Sequence, residues 1–309
     1  MPDVHLYLVT RTGVNERADF EGLAALIAEH DPGVSVTVVE DDPSSTPATP
    51  CPALTVSPGP VRWVRPGRGP LYQGKPLHKS HEYRKLEAIG VPVPRWRLVT
   101  PGSPVMVEGL GPYVVTKPDR GARGADVRVV NARNVRWSPP RTSMAQGMGG
   151  VLGARLVQEF IYTGPWPKSY RVVTLFGEVL LCLELEAAHE RQPLPGRYAF
   201  RSVGNAVSIV SSGRGCTFTL ADDAGVLALA ARAHRAFPTI PLLGIDIVRD
   251  HDTGALYVLE ANSLGYTWLF SSTSGRRLQT EFGLDLEAQF DGRRRAARAL
   301  AAATRRHAA

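Results

Sequence analysis

Three side chains in the C-terminal third have the type and spacing that hold a hard cation: Asp246, Glu260 and Asn262. Asp246 stands in Leu243-Gly244-Ile245-Asp246-Ile247-Val248, and the other two close Leu256-Tyr257-Val258-Leu259-Glu260-Ala261-Asn262. Between these apolar runs lie Asp250, His251, Asp252, Thr253 and Gly254, which is turn chemistry, so an antiparallel hairpin is predicted. Glu260 and Asn262 are two apart and share one sheet face. Pairing back from the turn brings Asp246 opposite Leu259 or Glu260. Lone carboxylates inside Leu/Ile/Val runs are costly. Two carboxylates and an amide oxygen gathered on neighbouring strands instead suit Mg²⁺ held jointly with phosphates.

A second segment could do anion chemistry. Val114-Val115-Thr116 runs into Lys117, and a loop containing Gly121, Arg123, Gly124 and Ala125 leads to a further strand at Val127. Glycines let backbone N–H groups approach polyphosphate oxygens. A plain hairpin with a surface lysine would read the same way, so the segment alone leaves both open. Lysines are scarce: Lys75, Lys79, Lys85, Lys117 and Lys168 are all of them. Gly69 to Lys75 has P-loop spacing, but Pro76 stands where a magnesium-binding hydroxyl is needed and no strand precedes it.

The elements that must position these groups follow from the apolar pattern. His5 to Thr10 reads as a strand, Arg17 to His30 as an amphipathic helix, and Val34 to Val39 and Leu54 to Val56 as strands. This order predicts a small parallel α/β lobe. Gly59 to Pro76 reads as a linker or ordered loop. A helix is predicted over Ser80 to Ile89, with Ser80 as N-cap and Gly90 as its stop. Further strands are predicted at Tyr113–Lys117, Val127–Val130, Leu156–Ile161, Arg171–Leu175, Val179–Leu185, Gly244–Arg249 and Leu256–Glu260, with one long helix over Ala221 to Phe237.

The 309 residues suffice for two or three lobes with their own cores, and 43% hydrophobic with 21% charged residues fits a soluble globular chain. No apolar run reaches the ~20 residues of a membrane span, and the start Met1-Pro2-Asp3 lacks a signal-peptide pattern, so a cytoplasmic location is expected. Cys51, Cys182 and Cys216 are scattered and read as reduced thiols. Much of the net charge of +7 sits in a tail with Arg293, Arg294, Arg295, Arg298, Arg305 and Arg306 among alanines. That tail reads as a solvated helix face rather than a phosphate-binding stripe. No basic run is interleaved with stacking aromatics, which argues against a nucleic-acid partner.

Taken in order, these motifs resemble the ATP-grasp superfamily, closest in pattern to its carboxylate–amine branch of amino-acid and peptide ligases. The resemblance runs from about Lys79 to the tail. It implies an α+β ATP-grasp fold of two lobes gripping ATP, preceded by a small α/β pre-grasp domain. The boundaries expected are 1–76 for the pre-grasp domain with its linker, 77–160 for the lid lobe, and 161–309 for the lobe with the metal site and basic C-terminal helix.

Residue by residue, the resemblance implies that Lys79, ahead of Gly90-Val91-Pro92-Val93-Pro94, and Lys117 contact the phosphates. Gly121, Arg123, Gly124 and Ala125 form the flap, and the backbone of the strand holding Glu159, Phe160 and Ile161 reads the adenine edge. Arg171, closing Ser169-Tyr170-Arg171, meets the γ-phosphate or an acyl phosphate; Arg201 and Asn205 are further acyl-phosphate or metal neighbours. Asp246, Glu260 and Asn262 are the metal ligands, for two Mg²⁺ ions with Mn²⁺ as a substitute. Ser169 stands where relatives often carry an acid, and no glycine-rich run follows Asn205. Trp268 reads equally as a packed aromatic or a substrate wall. The loops Gly102–Gly111 and Ala187–Arg197 are candidate substrate regions.

The activity implied is ATP-dependent C–N bond formation through an acyl phosphate, releasing ADP and phosphate. The substrates would be a small carboxylate and an amine, or a peptide, on a chain that relatives commonly assemble as dimers or tetramers. An ATP-grasp phosphotransferase and a non-catalytic nucleotide-binding protein are the alternatives.

Overall fold

The computed structural model describes residues 3–45, 50–66, 68–121, 126–138, 153–188, 193–194, 196–197 and 215–308. Its first sheet is parallel, in the order β2-β1-β3-β4, from β1 (Val4–Thr10), β2 (Val34–Glu40), β3 (Ala53–Ser57) and β4 (Leu71–Gln73). Helix α1 (Arg17–His30) joins β1 to β2 and buries Phe20, Leu23 and Ile27, spaced at three and four residues, on that sheet. Strand β4 lies within the stretch expected to be a linker. Three residues, none fully buried, carry no alternation to detect. Gly74 ends β4 where a Cβ would meet the Ser263 carbonyl at 2.1 Å. The first sheet thus touches the loop beyond the predicted hairpin backbone to backbone.

Helix α2 (Lys79–Ala88) leads to a four-stranded antiparallel sheet, β5-β8-β6-β7, formed by Trp96–Val99, Arg155–Glu159, Tyr113–Pro118 and Arg128–Asn131 respectively. Ser80 is not the N-cap of α2: the helix starts one residue earlier, and His78 makes no side-chain cap bond. Asp119, just past β6, replaces it. Its Oδ1 accepts the Ser80 N–H at 2.8 Å and its carbonyl accepts the Lys79 N–H at 3.0 Å. A cap supplied across the fold leaves no local signature.

The third sheet is antiparallel, in the order β11-β10-β9-β12-β13. These strands are Cys216–Leu220, Glu178–Ala187, Lys168–Leu175, Leu242–Arg249 and Leu256–Asn262. Helix α3 (Ala224–His234) covers one face together with α2, sharing a core of Tyr83, Leu86, Val172, Ile245 and Val258. Helix α4 (Thr273–Phe282) follows β13, and α5 (Gly292–His307) closes the chain. Among the described residues no helix is long and apolar enough to cross a membrane.

Helix α5 keeps a solvated arginine face, with Arg294, Arg298, Arg305 and Arg306 exposed, but buries its opposite face. Ala296, Ala297, Ala299, Leu300, Ala301 and Ala303 are buried in one core with Leu6, Leu8 and Leu23 of the first lobe and Leu180 and Leu183 of β10. Its arginines pair with first-lobe acids: Arg293 with Asp19 at 2.7 Å, Arg294 with Glu29 at 3.3 Å, and Arg305 with Asp31 at 2.7 Å and Asp3 at 2.9 Å. Trp268 belongs to the same contact. It is 2% exposed, lies against Phe20 and Phe270, and donates its indole N–H to Asp19 at 2.5 Å. It is a packed aromatic, not a substrate wall.

Candidate active site

The hairpin predicted around residues 250–254 forms β12 and β13. Asp250 Oδ1 accepts the N–H groups of Asp252 and Thr253 at 3.0 Å each, and Gly254 takes φ +72°. Between Asp246 and Ile247 the register shifts: Ile247 faces Val258, while Asp246 faces Glu260. The bulge at Leu259 therefore decides between the two pairings the turn alone allowed. On the other side Asp246 faces Arg171 of β9. Arg171, Asp246 and Glu260 thus form one row across three adjacent strands, as cross-strand neighbours on one face.

The row is linked by charge. Arg171 grips Asp246 with both Nε and Nη2, the latter 2.8 Å from Oδ2. Asn262 Nδ2 donates to Asp246 Oδ2 at 3.2 Å and to the Gly244 carbonyl at 3.3 Å. Gly244 pairs with Asn262, and a Cβ there would come within 3.2 Å of Arg171 Cδ and 2.9 Å of Thr267. Glycine therefore leaves room for the arginine stem.

The opposite wall comes from α2 and β6. Lys79, first residue of α2, donates to Glu260 Oε1 at 2.6 Å and to the Gly121 carbonyl at 3.2 Å. Lys117 of β6 donates to Tyr83 Oη at 3.0 Å and to the Leu259 carbonyl at 3.2 Å, 4.9 Å above the Tyr83 ring. Asp119 fixes the start of α2, and its Oδ2 lies 2.9 Å from His78 Nδ1. Arg120 Nε–H donates to His78 Nε2 at 2.8 Å, so the proton of that imidazole is on Nδ1 and goes to Asp119.

Burial and charge tune these groups in opposite directions. Burial pulls the Lys117 ammonium down to about 8, with the like charge of Lys79 adding to it. Burial opposes the Lys79 charge too, but Glu260, Glu82 and Asp119 outweigh it and hold the group above its ordinary value. For Glu260, burial acts upward, yet Lys79 and Lys117 keep the carboxyl below the usual range. Asp246 is raised by burial, against which Arg171 works. Glu82 is pushed by burial up to about 7. Opposed shifts in neighbouring buried groups are common at functional sites and also in structural ion-pair networks.

Between the two walls lies a cavity. Apolar Val115, Phe160, Ile161, Val248 and Leu259 and charged Lys79, Lys117, Lys168, Arg171, Asp246 and Glu260 line it together, with Gln158, Thr163 and Ser169 among its polar residues. Apolar surface with a few converging charged groups is the usual lining of a small-molecule site. Glu159 does not line the cavity: its carboxylate pairs with Arg95, 2.7 Å from Nη2, and accepts the Arg95 N–H at 2.9 Å. Asn262 is not among the lining residues, and its Nδ2 donates to Asp246 Oδ2 at the edge of the site. The loops 102–111 and 187–197 contribute no described residue to this lining. Arg123, Gly124, Ala125, Arg201 and Asn205 lie outside the described residues.

Sequence reasoning missed Glu82, Tyr83 and Asp119. Glu82 and Tyr83 follow Lys79 at three and four residues, so the three share a helix face, which a spacing test could have flagged. Among the described residues no group of three or more His, Cys, Asp and Glu side chains gathers to hold a metal. The candidate set is two carboxylates and one amide, a donor set that suits Mg²⁺ once phosphate oxygens complete it.

No protein-family model matches the chain, and no curated protein matches it. Among solved structures it is similar to the ATP-grasp ligase PsnB complexed with a phosphomimetic variant of minimal precursor, Mg and ADP. That match has 14% identity, covers 98% of this chain and 100% of the other, and has a TM-score of 0.51. It is also similar to D-alanine–D-alanine ligase from Bacillus anthracis complexed with ATP, at 11% identity, 96% and 98% coverage and a TM-score of 0.48. D-cycloserine synthetase DcsG matches at 18% identity, 96% and 99% coverage and a TM-score of 0.49. The match to PsnB spans nearly the whole chain, first lobe included: the protein has the ATP-grasp fold.

Proposed function

We propose that this protein is an ATP-dependent carboxylate–amine ligase. Residues 1–76 are read as the pre-grasp lobe, 77–160 as the lid and 161–309 as the lobe bearing the acidic row. The observation that carries the reading is one cavity lined by Lys79, Lys117, Arg171, Asp246 and Glu260 together with Phe160 and Ile161, in which Lys79 bonds Glu260 and Arg171 bonds Asp246. The adenine would lie against Phe160 and Ile161, and the polyphosphate among the charged side chains. PsnB, whose structure is similar, is complexed with Mg and ADP.

Asp246, Glu260 and Asn262 would hold a pair of Mg²⁺ ions, which neutralise phosphate charge when bound. In the structure Arg171 and Lys79 balance the two carboxylates, so these cations are already beside the place where phosphate oxygens would arrive. Lys79 and Lys117 bind and orient the polyphosphate. A carboxylate oxygen of the substrate attacks the γ-phosphorus, the bond to the β-phosphate oxygen breaks, and ADP departs with that electron pair. Arg171 offsets the charge on the transferring group. The amine nitrogen then attacks the carbonyl carbon of the acyl phosphate, loses a proton, and the C–O bond to phosphate breaks. The result is an amide, ADP and phosphate.

The test is ATP turnover with Mg²⁺ against a panel of amino acids and small carboxylates with amines, following ADP and free phosphate together. ADP and phosphate rising in step only when carboxylate and amine are both present is the expected result. ADP accompanied by a stable phosphorylated acceptor would replace the ligase with a phosphotransferase. ATP bound tightly but never turned over across the panel would favour a non-catalytic binder.

A further inference from the structure

Strand β13 carries Glu260 and Asn262 and lies at the edge of its sheet, with β12 as its neighbour there. An edge strand leaves a row of backbone N–H and C=O groups unpaired. Here that row is closed by other means. Val258 N–H donates to the Pro92 carbonyl at 2.9 Å. The Leu259 carbonyl accepts from Tyr83 Oη at 3.0 Å and Lys117 Nζ at 3.2 Å. The Ala261 N–H donates to Glu82 Oε2 at 3.0 Å. Helix α2 therefore grips β13 at three consecutive residues through one helix face: Tyr83 at Leu259, Lys79 at Glu260 and Glu82 at Ala261.

Of these contacts only Glu82 reaches the backbone between the two β13 ligand positions. Ala261 sits between Glu260 and Asn262, so fixing its amide fixes the peptide plane that joins Glu260 to Ala261 and anchors the strand directly before Asn262. The bulge at Leu259 makes such a hold necessary, because a shifted register has to be pinned. Glu82 is 3% exposed. The charges of Lys79 and Lys117 offset its burial, and its one hydrogen bond is directed at the Ala261 amide.

We propose that Glu82 is a positioning residue for the metal site: by accepting the Ala261 N–H it holds Glu260 and Asn262 at the register where they meet Asp246. It touches neither nucleotide nor metal and acts through the strand, as the outer partners of metal ligands do. The inference rests on reading the row as the Mg-ATP site.

The test compares the wild type with Glu82→Ala and Glu82→Gln by calorimetric ATP binding across a MgCl₂ titration, with ATP in EDTA as control. In Glu82→Ala the Mg²⁺ concentration for half-maximal ATP binding should rise on the order of tenfold or more. Its ATP affinity in EDTA should be no weaker than that of the wild type. Glu82→Gln, whose amide oxygen can accept the same N–H, should stay within about threefold of the wild-type Mg²⁺ requirement. An unchanged Mg²⁺ requirement in Glu82→Ala overturns the proposal. So does equal weakening with and without Mg²⁺, which would make Glu82 merely structural. If Glu82→Ala does not fold, Glu82→Gln decides: a tenfold loss there contradicts a hydrogen-bonding role, and a near-wild-type titration supports it. A wild type that binds no Mg-ATP would remove the functional reading itself, a failure distinct from that of Glu82.

Discussion

The five-stranded sheet meets its two neighbours in opposite ways. Toward the first lobe it shares one apolar core, in which the alanine face of α5 is pressed between β1, α1 and β10. Toward α2 and the sheet β5-β8-β6-β7 the apolar contact of α2 and Leu156 is joined by a buried polar grip of Lys79, Glu82, Tyr83 and Lys117 on β13. The first junction is held by apolar area and van der Waals contact, which do not change when a ligand arrives. The second is held by charges and hydrogen bonds that a polyanion can compete for and rearrange. Under the proposed function, this difference places stability in one junction and ligand response in the other.

Substitutions can separate the two. The largest effect is expected from Glu260→Gln, which keeps shape but removes one carboxylate of the row. ATP turnover should fall on the order of 10²–10³-fold, measured as ADP release, because charge placed in the reaction site contributes on that scale. Leu300→Ala, in the apolar junction, should lower unfolding free energy by about 2–5 kcal/mol in urea while leaving the Mg-ATP affinity unchanged. Lys117→Met inverts that pattern. Losing a charged contact to phosphate should weaken ATP binding on the order of tenfold, while stability is held or raised because a buried ammonium is replaced by an apolar chain.

The smallest effect is one of pH. Lys117 is pulled down to about 8, so its charge is present below that value and is lost as pH rises through it. ATP affinity should be level below about pH 8 and decline above it. In Lys117→Arg, whose guanidinium stays charged, the decline should disappear. A decline that persists in Lys117→Arg would place the titrating group elsewhere.

What the sequence disclosed follows the range of the interactions involved. The hairpin around residues 250–254 was legible because turn residues and flanking apolar runs are local, and Glu260 and Asn262 share a face by periodicity alone. Helix α1 matched its predicted limits because its apolar spacing suffices. The partner of Asp246 was ambiguous until the bulge at Leu259 was seen, since a one-residue slip is invisible in apolar runs. The Arg171–Asp246 pair depends on β9 lying beside β12, a long-range fact. Asp119 acts as a remote cap, and Glu82 looks like any acid on an amphipathic helix until the strand it holds is known. The pairings of Arg293, Arg294 and Arg305 with Asp19, Glu29, Asp31 and Asp3 left no local sign because those acids lie 265 or more residues away, 265 for Glu29 and Arg294.

The central claim is that the charged residues of the cavity read polyphosphate with the help of a divalent cation. Calorimetric titration of ATP into the wild-type protein, with MgCl₂ and with EDTA, tests it most directly. The account predicts saturable one-site binding that tightens on the order of tenfold or more with Mg²⁺, a gain that Glu260→Gln abolishes. ATP binding that is indifferent to Mg²⁺, or no binding at all, would contradict it.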